Sequence, residues 1–286
     1  MMESKKWFVN SYNAISADDR VNEFFKERFW LASLYHENSK YYPDIFYKQM
    51  PLLPYSIPKA DIKKRYYEEY KIPSFEELND KNAFVHVLKN RRSSWDFKGE
   101  EITFDELCKL LQYSFGITEV KKITNSKQNF VINKRTYPSG GALYSIDIYI
   151  YIQKVKGLKS GLYLFSPQLN KLFLIKREKD INVPLNSIGI STDEERNPII
   201  AEDSFEKASA VFMLSANFKY QTDKYGLRAY RLALMESGHI AQNILLVSTF
   251  LQKKSIPFTG FYDDRANNFL DLDGVSEVVL YMIPIG

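Results

Sequence analysis

Three stretches of this sequence combine residue types that can do chemistry. Arg91-Arg92-Ser93-Ser94 sets guanidiniums and hydroxyls side by side just after a predicted helix. Guanidiniums take phosphate oxygens through paired, charge-assisted hydrogen bonds, so the run is a candidate phosphate grip; a solvated basic linker would have the same composition. Arg135-Thr136-Tyr137-Pro138-Ser139-Gly140-Gly141-Ala142-Leu143-Tyr144 leads straight into a β-branched stretch at Ile146. Its small residues let a flat ring approach the backbone, and a tight turn before a strand would use them equally well. Lys224-Tyr225 opens the third stretch, which continues through Arg228-Ala229-Tyr230-Arg231 and Met235-Glu236-Ser237-Gly238-His239 to Gln242-Asn243. On a helix, at about 100° per residue, Arg228, Arg231, Glu236, His239, Gln242 and Asn243 share a stripe roughly 140° wide. Gly, His and Asn are poor helix formers for a plain solvated face, so the stripe suits a ligand or a second subunit at least as well.

These groups need elements to hold them. Residues 1–80 are polar and aromatic, punctuated by Pro43, Pro51, Pro54, Pro58 and Pro73. Within them a helix starts near Ser16-Ala17-Asp18-Asp19 and runs through Tyr35, by the spacing of Val21, Phe24, Phe25, Trp30, Leu31 and Leu34; beyond His36 the chain reads as a connector. Residues 81–286 alternate helix and strand signals. Asn82 to Leu88 is a short helix. Thr103 and Glu106 form a capping box ahead of Leu107, Leu110 and Leu111. Ile146 to Gln153 is a β-branched strand, 161–165 and 171–175 flank a hairpin turn, and Ala208 to Ser215 is a further strand. One long helix spans Tyr225 to about Lys253, and Ser276 to Ile283 closes as a strand. Strands interrupted by a hairpin predict an α+β fold rather than a doubly wound sheet.

Other chemistries lack their residues. The formal net charge of +4 is spread along the chain, so no nucleic-acid partner is expected. There is no glycine-rich dinucleotide fingerprint, no phosphate loop ending in Gly-Lys-Ser or Gly-Lys-Thr, and no nucleophile elbow. His36, His86 and His239 stand far apart, and Cys108 is the one cysteine, which predicts neither a metal site nor a disulfide. Cys108 reads as a small buried hydrophobe. The apolar runs are too short to span a bilayer and the N-terminus has no signal-like core, so a soluble cytoplasmic protein without a membrane partner is expected.

Taken in order, Arg91-Arg92-Ser93-Ser94, Tyr137-Pro138-Ser139-Gly140-Gly141-Ala142-Leu143-Tyr144, Lys224-Tyr225 with Arg228-Ala229-Tyr230-Arg231, Glu236-Ser237-Gly238-His239-Ile240-Ala241-Gln242-Asn243 and Gly260-Phe261 resemble the SagB-type azoline dehydrogenases of the nitroreductase-like superfamily. Tyr35-His36-Glu37 with Lys40 resembles a segment near that family's N-terminus. The likeness covers roughly residues 81–286. It implies a nitroreductase-like fold, a mainly antiparallel sheet flanked by helices, behind an N-terminal helical extension over residues 1–80 that docks a partner or wraps a dimer. It implies FMN as cofactor and a homodimer with FMN at the interface. Arg91, Arg92 and Ser93 would hold the phosphate and pyrimidine side of the flavin, and Pro138, Ser139, Gly140 and Gly141 would reach it from the other subunit. Thr259 and Gly260 would lie near its redox-active nitrogen, with Asn243 also on the cofactor side. Arg228 or Arg231 would supplement the phosphate grip, and Trp95 stands where relatives carry a cation. Lys224 and Tyr225 match the pair implicated in catalysis.

The implied activity is oxidation of thiazoline or oxazoline rings to thiazoles or oxazoles in a precursor peptide, after a cyclodehydratase has made the rings, as in bacteriocin biosynthesis. Free Lys and Tyr side chains titrate at about 10, so a lone one is a poor base at neutral pH; side by side, each tunes the other by charge and burial. Either Lys224 or Tyr225 would be the base. A general NAD(P)H-dependent nitroreductase or flavin reductase, and a non-catalytic scaffold of a peptide-modifying complex, are the competing readings.

Overall fold

The computed structural model describes residues 30–42, 67–68, 70–78, 82–124, 129–181, 185–189 and 204–286. Its principal elements are α1 (Trp30–Ser39), α2 (Ala83–Asn90), α3 (Phe104–Phe115), β1 (Ile117–Thr124), β2 (Asn129–Arg135), β3 (Ile146–Ile152), β4 (Gly161–Ser166), β5 (Lys171–Arg177), β6 (Ala210–Asn217), α4 (Lys219–Tyr225), α5 (Arg228–Phe250), α6 (Asp263–Leu270) and β7 (Glu277–Ile285). The main sheet runs in the order β5-β4-β3-β6-β7 with every neighbouring pair antiparallel. β1 and β2 form a separate antiparallel ribbon. Helices lie on both faces of the sheet, which is the α+β architecture that the alternating signals predict.

β6 explains why both faces are covered. Each of its residues is buried, and its sequence, Ala-Val-Phe-Met-Leu-Ser-Ala-Asn, is a nearly continuous apolar run. Phe212, Leu214 and Ala216 pack with Leu107, Leu110 and Phe115 of α3 and with Ala233, Ile240 and Ile244 of α5. Val211 and Met213 point the other way, toward Phe258 and toward Phe269 and Leu270 of α6. Side chains alternate across a strand, so a run apolar at both parities needs a cover on each side. The capping box forms at the start of α3: Glu106 N–H donates to Thr103 Oγ1 at 3.1 Å, and Thr103 N–H donates to Glu106 Oε2 at 2.7 Å.

The long helix expected from Tyr225 to Lys253 is α5, Arg228–Phe250, and it starts three residues later than the sequence suggested. Gly226, at φ 52° and ψ −135°, separates α4 from α5. That backbone region is open to glycine and closed to residues with a Cβ, so the helical ladder stops there. Lys224 and Tyr225 therefore end a short helix instead of opening a long one. The N-terminal helix also differs from expectation: α1 continues through His36 to Ser39, while its predicted start at Ser16 lies outside the described residues. His36 and, in the stretch read as connector, Lys40 are buried against the rest of the chain.

Candidate functional site

The turn Ser139–Tyr144 is wound into an unusual backbone. Gly141 has φ 65°, and Ala142 and Tyr144 have φ 54° and 51°. For L-residues this left-handed region costs about 1–2 kcal/mol each, a strain characteristic of functional turns. Gly141 is fixed by its neighbours as well: a Cβ there would stand 2.6 Å from Tyr225 Oη and 2.9 Å from Lys224 Nζ. The glycine run and the Lys-Tyr pair, more than eighty positions apart in sequence, thus meet in one chain. Lys224 is exposed, Tyr225 half-buried, and the Lys224 ammonium lies 5.2 Å from the centre of the Tyr225 ring. The left-handed Gly141 leaves its backbone bare at the place where these two polar tips converge.

Behind the turn, polar groups converge on one carboxylate. Ser139 Oγ donates to Glu236 Oε2 at 2.6 Å and accepts from Tyr144 N–H at 2.9 Å. Gln221 Nε2 of α4 donates to the same Glu236 oxygen at 3.3 Å, and Ser145 Oγ at 3.4 Å. Burial raises the Glu236 carboxyl above its ordinary range, against the pull of the Ser139 hydroxyl and the nearby Arg135 charge. Arg135 and Tyr144, which flank the glycine run, close it structurally: the guanidinium lies 4.1 Å from the Tyr144 ring centre and donates to Tyr137 Oη at 2.6 Å. Burial pushes the Tyr137 phenol up strongly. The Ser139 hydroxyl is therefore turned inward, away from any ligand over Gly141.

The expected helix stripe is split. Arg228, Arg231, His239 and Gln242 lie on the exposed face of α5, as drawn from the sequence. Glu236 falls on the buried face with Tyr230, Ala233 and Ile240. Asn243 is half-buried, and its Nδ2 donates to Ser114 O at 3.4 Å and Thr136 O at 3.3 Å, tying α5 to the end of α3 and to the chain after β2. Leu234, expected on the far side of the stripe, is exposed together with Leu227 and Met235.

The other candidate residues lie elsewhere. Arg92 Nη1 donates to Lys89 O and Arg91 O, both at 2.8 Å, capping the C-terminal end of α2. Arg91 Nη1 is 3.5 Å from Ser93 Oγ, and Ser93 bridges to Ser255 just past the end of α5. Ser255 bridges in turn to Ile285, the residue paired with Ala210 at one end of β6; α4 follows Asn217, at the opposite end. Phe258 pairs with Met282, and Thr259 and Gly260 follow it beside β7. Trp95 packs edge-on against Phe258 at 5.1 Å and Phe205 at 5.6 Å, so it wedges an aromatic cluster under that segment. Within one chain, Arg91–Ser93 and the Gly141–Lys224–Tyr225 group are thus set at opposite ends of α5, whose 23 residues span about 34 Å.

The donor set suits an anionic, flat group. Lys224, Arg228, Arg231, Arg91 and Arg92 form no ion pair with a carboxylate among the described residues; Lys224 lies at the turn, and Arg228 and Arg231 are exposed in the first turn of α5. No cluster of His, Cys, Asp or Glu that could hold a metal occurs among the described residues, and no helix there is long and apolar enough to cross a membrane. Gln221 is the functional candidate that the sequence did not single out; its type carries no signal, and its convergence with Glu236 on Ser139 depends on the break at Gly226.

An antiparallel sheet flanked by helices, with cations and a glycine turn at the ends of one long helix, defines an α+β scaffold. The chain belongs to the nitroreductase family, whose sequence profile matches residues 88–286. Among its relatives, the Methanocaldococcus jannaschii protein MJ1384, which carries the name nitroreductase, is 27% identical over 223 residues, 76% of this chain and 96% of that one. The microcin B17-processing protein McbC of Escherichia coli is 28% identical over 144 residues, and the match spans about half of each chain, 49% of both. The fold also matches a chain of the E. coli microcin synthetase McbBCD complex with truncated pro-MccB17 bound, at TM-score 0.64 and 18% identity, over 97% of this chain and 96% of that one.

Proposed function

We propose that this protein is an FMN-dependent dehydrogenase that oxidises thiazoline or oxazoline rings to thiazoles or oxazoles in a ribosomally made precursor peptide. The observation that carries the reading is the convergence of Lys224 Nζ and Tyr225 Oη over the bare backbone of Gly141. The relative named for microcin B17 processing supports a peptide as substrate and a cyclodehydratase as partner. FMN would be held by Arg91, Arg92 and Ser93 with Thr259 and Gly260 from one copy, and by Pro138, Gly140 and Gly141 with Arg228 and Arg231 from a second. Ser139 and Asn243 serve the site by holding the turn and α5 in place. A second copy is favoured because the two halves stand at opposite ends of α5 and because Leu227, Leu234 and Met235 leave an exposed apolar face along that helix.

Aromatising an azoline removes two hydrogens from neighbouring ring carbons, one as a proton and one with two electrons. Bound FMN would supply the two-electron acceptor. The chain's own residues handle the proton. Tyr225 Oη takes it from the ring carbon with Lys224 Nζ beside it; exchanging the two roles uses the same geometry. Gly141, having no Cβ, lets the Lys224 and Tyr225 tips come together against its backbone.

The test is a purified protein with a visible flavin spectrum, given an azoline-containing peptide and followed by mass spectrometry. Loss of two hydrogens per ring is expected, with turnover reduced about a hundredfold or more in Lys224→Ala and Tyr225→Phe while flavin stays bound. A yellow protein that leaves azolines untouched, and is bleached rapidly by NAD(P)H in both variants, would replace this reading with a general nitroreductase, the activity for which MJ1384 is named.

A further inference from the structure

The turn over which Lys224 and Tyr225 meet is strained at Ala142 and Tyr144 as well as bent at Gly141. Such a backbone persists only where its surroundings over-determine it. The Tyr144 ring is held by Arg135, whose N–H donates to Tyr144 Oη at 3.0 Å, and the backbone of the turn is held from behind by Glu236. Glu236 is 1% exposed, and one of its oxygens receives Ser139 Oγ from the turn at 2.6 Å, Ser145 Oγ at the entry to β3 at 3.4 Å, and Gln221 Nε2 from α4 at 3.3 Å. Gln221 stands one helical turn ahead of Lys224 and Tyr225, so the same oxygen grips the helix that carries the pair. Ser139 Oγ then passes the restraint on, accepting the Tyr144 N–H at 2.9 Å.

We infer that Glu236 is the positioning residue of this site: its buried carboxylate locks the Ser139–Tyr144 turn to α4 and so sets the distance between the Gly141 backbone and the tips of Lys224 and Tyr225. The Glu236 Oε2 oxygen accepts, which is what a converging set of hydroxyl and amide donors requires. A hydrophobic residue at 236 would leave those donors buried without an acceptor, and the strained turn would relax toward ordinary φ values. Glu236 touches neither Lys224 nor Tyr225; it acts through Ser139 and Gln221. The inference rests on the proposed function only for its catalytic consequence.

The experiment therefore has one readout that needs no flavin. In the full-length protein, amide hydrogen exchange at Tyr144 reports the Ser139 bond, and exchange along β6 reports the fold. Glu236→Ala is expected to speed Tyr144 exchange at least about tenfold while β6 stays protected, and to lower kcat for the azoline peptide about tenfold or more with KM little changed. Glu236→Gln, which keeps the volume and an acceptor oxygen, should restore both to within about threefold of wild type. Ser139→Ala gives the same loss while keeping the buried carboxyl and its Gln221 and Ser145 bonds, and the double Ser139→Ala/Glu236→Ala variant should be no worse than the poorer single one. Unchanged Tyr144 exchange in Glu236→Ala overturns the inference. So does equal loosening of Tyr144 and β6 in both Glu236 variants, which would mean plain loss of structure. If Glu236→Ala does not fold, Ser139→Ala and Glu236→Gln decide alone: slow Tyr144 exchange in Ser139→Ala would refute the lock. A wild type that oxidises no azoline would sink the proposed function, and the exchange data would still judge Glu236.

Discussion

Gly141 has two separate reasons to be glycine, and they predict different things. Its φ of 65° is costly for any L-residue, so Gly141→Ala should lose about 1–2 kcal/mol of stability from the backbone alone. A Cβ would also strike Tyr225 Oη at 2.6 Å and Lys224 Nζ at 2.9 Å. Those are the ends of mobile side chains, so they can move aside without unfolding anything, at the expense of the arrangement proposed for catalysis. The expected variant is folded, modestly destabilised in urea titration, and at least about tenfold slower on azoline peptide; full turnover would show that the pair works elsewhere than over Gly141. The parts of this site were legible as runs of suitable residue types: Pro138–Gly141, Lys224-Tyr225 and Arg228–Arg231 were all visible in the sequence. Their meeting was not, because it depends on where α4 ends, which is set by the ψ of −135° at Gly226. Glu236 was drawn onto the polar stripe of one long helix, and it sits at that stripe's edge, where a small angular error exchanges one face for the core.

At the scale of elements, local signals succeeded where the cause is local. The Thr103–Glu106 box marks the start of α3 because both of its hydrogen bonds lie within four residues. α6 escaped notice because Asp-Asp-Arg-Ala-Asn-Asn is a weak helix former. It is held by tertiary contact instead, with Phe269 and Leu270 buried and Asn267 Oδ1 accepting Val279 N–H at 2.8 Å. The β1–β2 ribbon has Val120 and Val131 exposed, so no buried face imposes a period-two pattern that could be read. α1 is the instructive case, since its docking opposes two titrations. His36, 6% exposed with Nδ1 3.4 Å from Tyr230 Oη, is pushed down to about 4 by burial and then by Lys40, with Asp264 pulling the other way. Asp263, which accepts Tyr41 N–H at 2.9 Å, is pushed up to about 6 by burial despite that bond and Lys40. Glu37, paired with Lys40 at 2.9 Å, is raised in the same sense as Asp263. A folded-state pKa below the unfolded one means that the His36 contribution is full above about 6.5 and lost as pH falls toward 4. A folded-state pKa above the unfolded one means that the Asp263 contribution is full below 3.8 and lost as pH rises through about 6. The two offset each other over the same window. Urea midpoints at about pH 7 and about pH 4.5 should separate them: Asp263→Asn should lose more stability on acidification than wild type, and His36→Phe less. The reverse ordering would mean that these groups do not carry the docking of α1.

The whole molecule poses a problem that one chain does not solve. Arg91–Ser93 belong to the end of the sheet marked by Ser255, Ala210 and Ile285, and Gly141, Lys224 and Tyr225 to the end marked by Asn217. A single flavin cannot touch both sets across a helix about 34 Å long, so a site using both must be shared between copies. The exposed apolar residues Leu234 and Met235 of α5, with Leu227 just ahead of it, and Phe84 and Leu88 of α2, a helix that contacts α5, give a second copy apolar surface to cover. Sharing makes a prediction that no one-chain site can meet. Arg91→Ala damages one half and Tyr225→Phe the other, so each homodimer has only broken sites. A heterodimer of the two has one site with both lesions and one with neither. Isolated by two affinity tags, it should therefore recover about half of the wild-type turnover per dimer, although neither parent is active. If instead each site were built from a single chain, every site in the heterodimer would carry one lesion and turnover would stay at the level of the parents. In that case Arg91–Ser93 would have to be removed from the cofactor site, and the cations around Gly141 would be left to hold the phosphate by themselves.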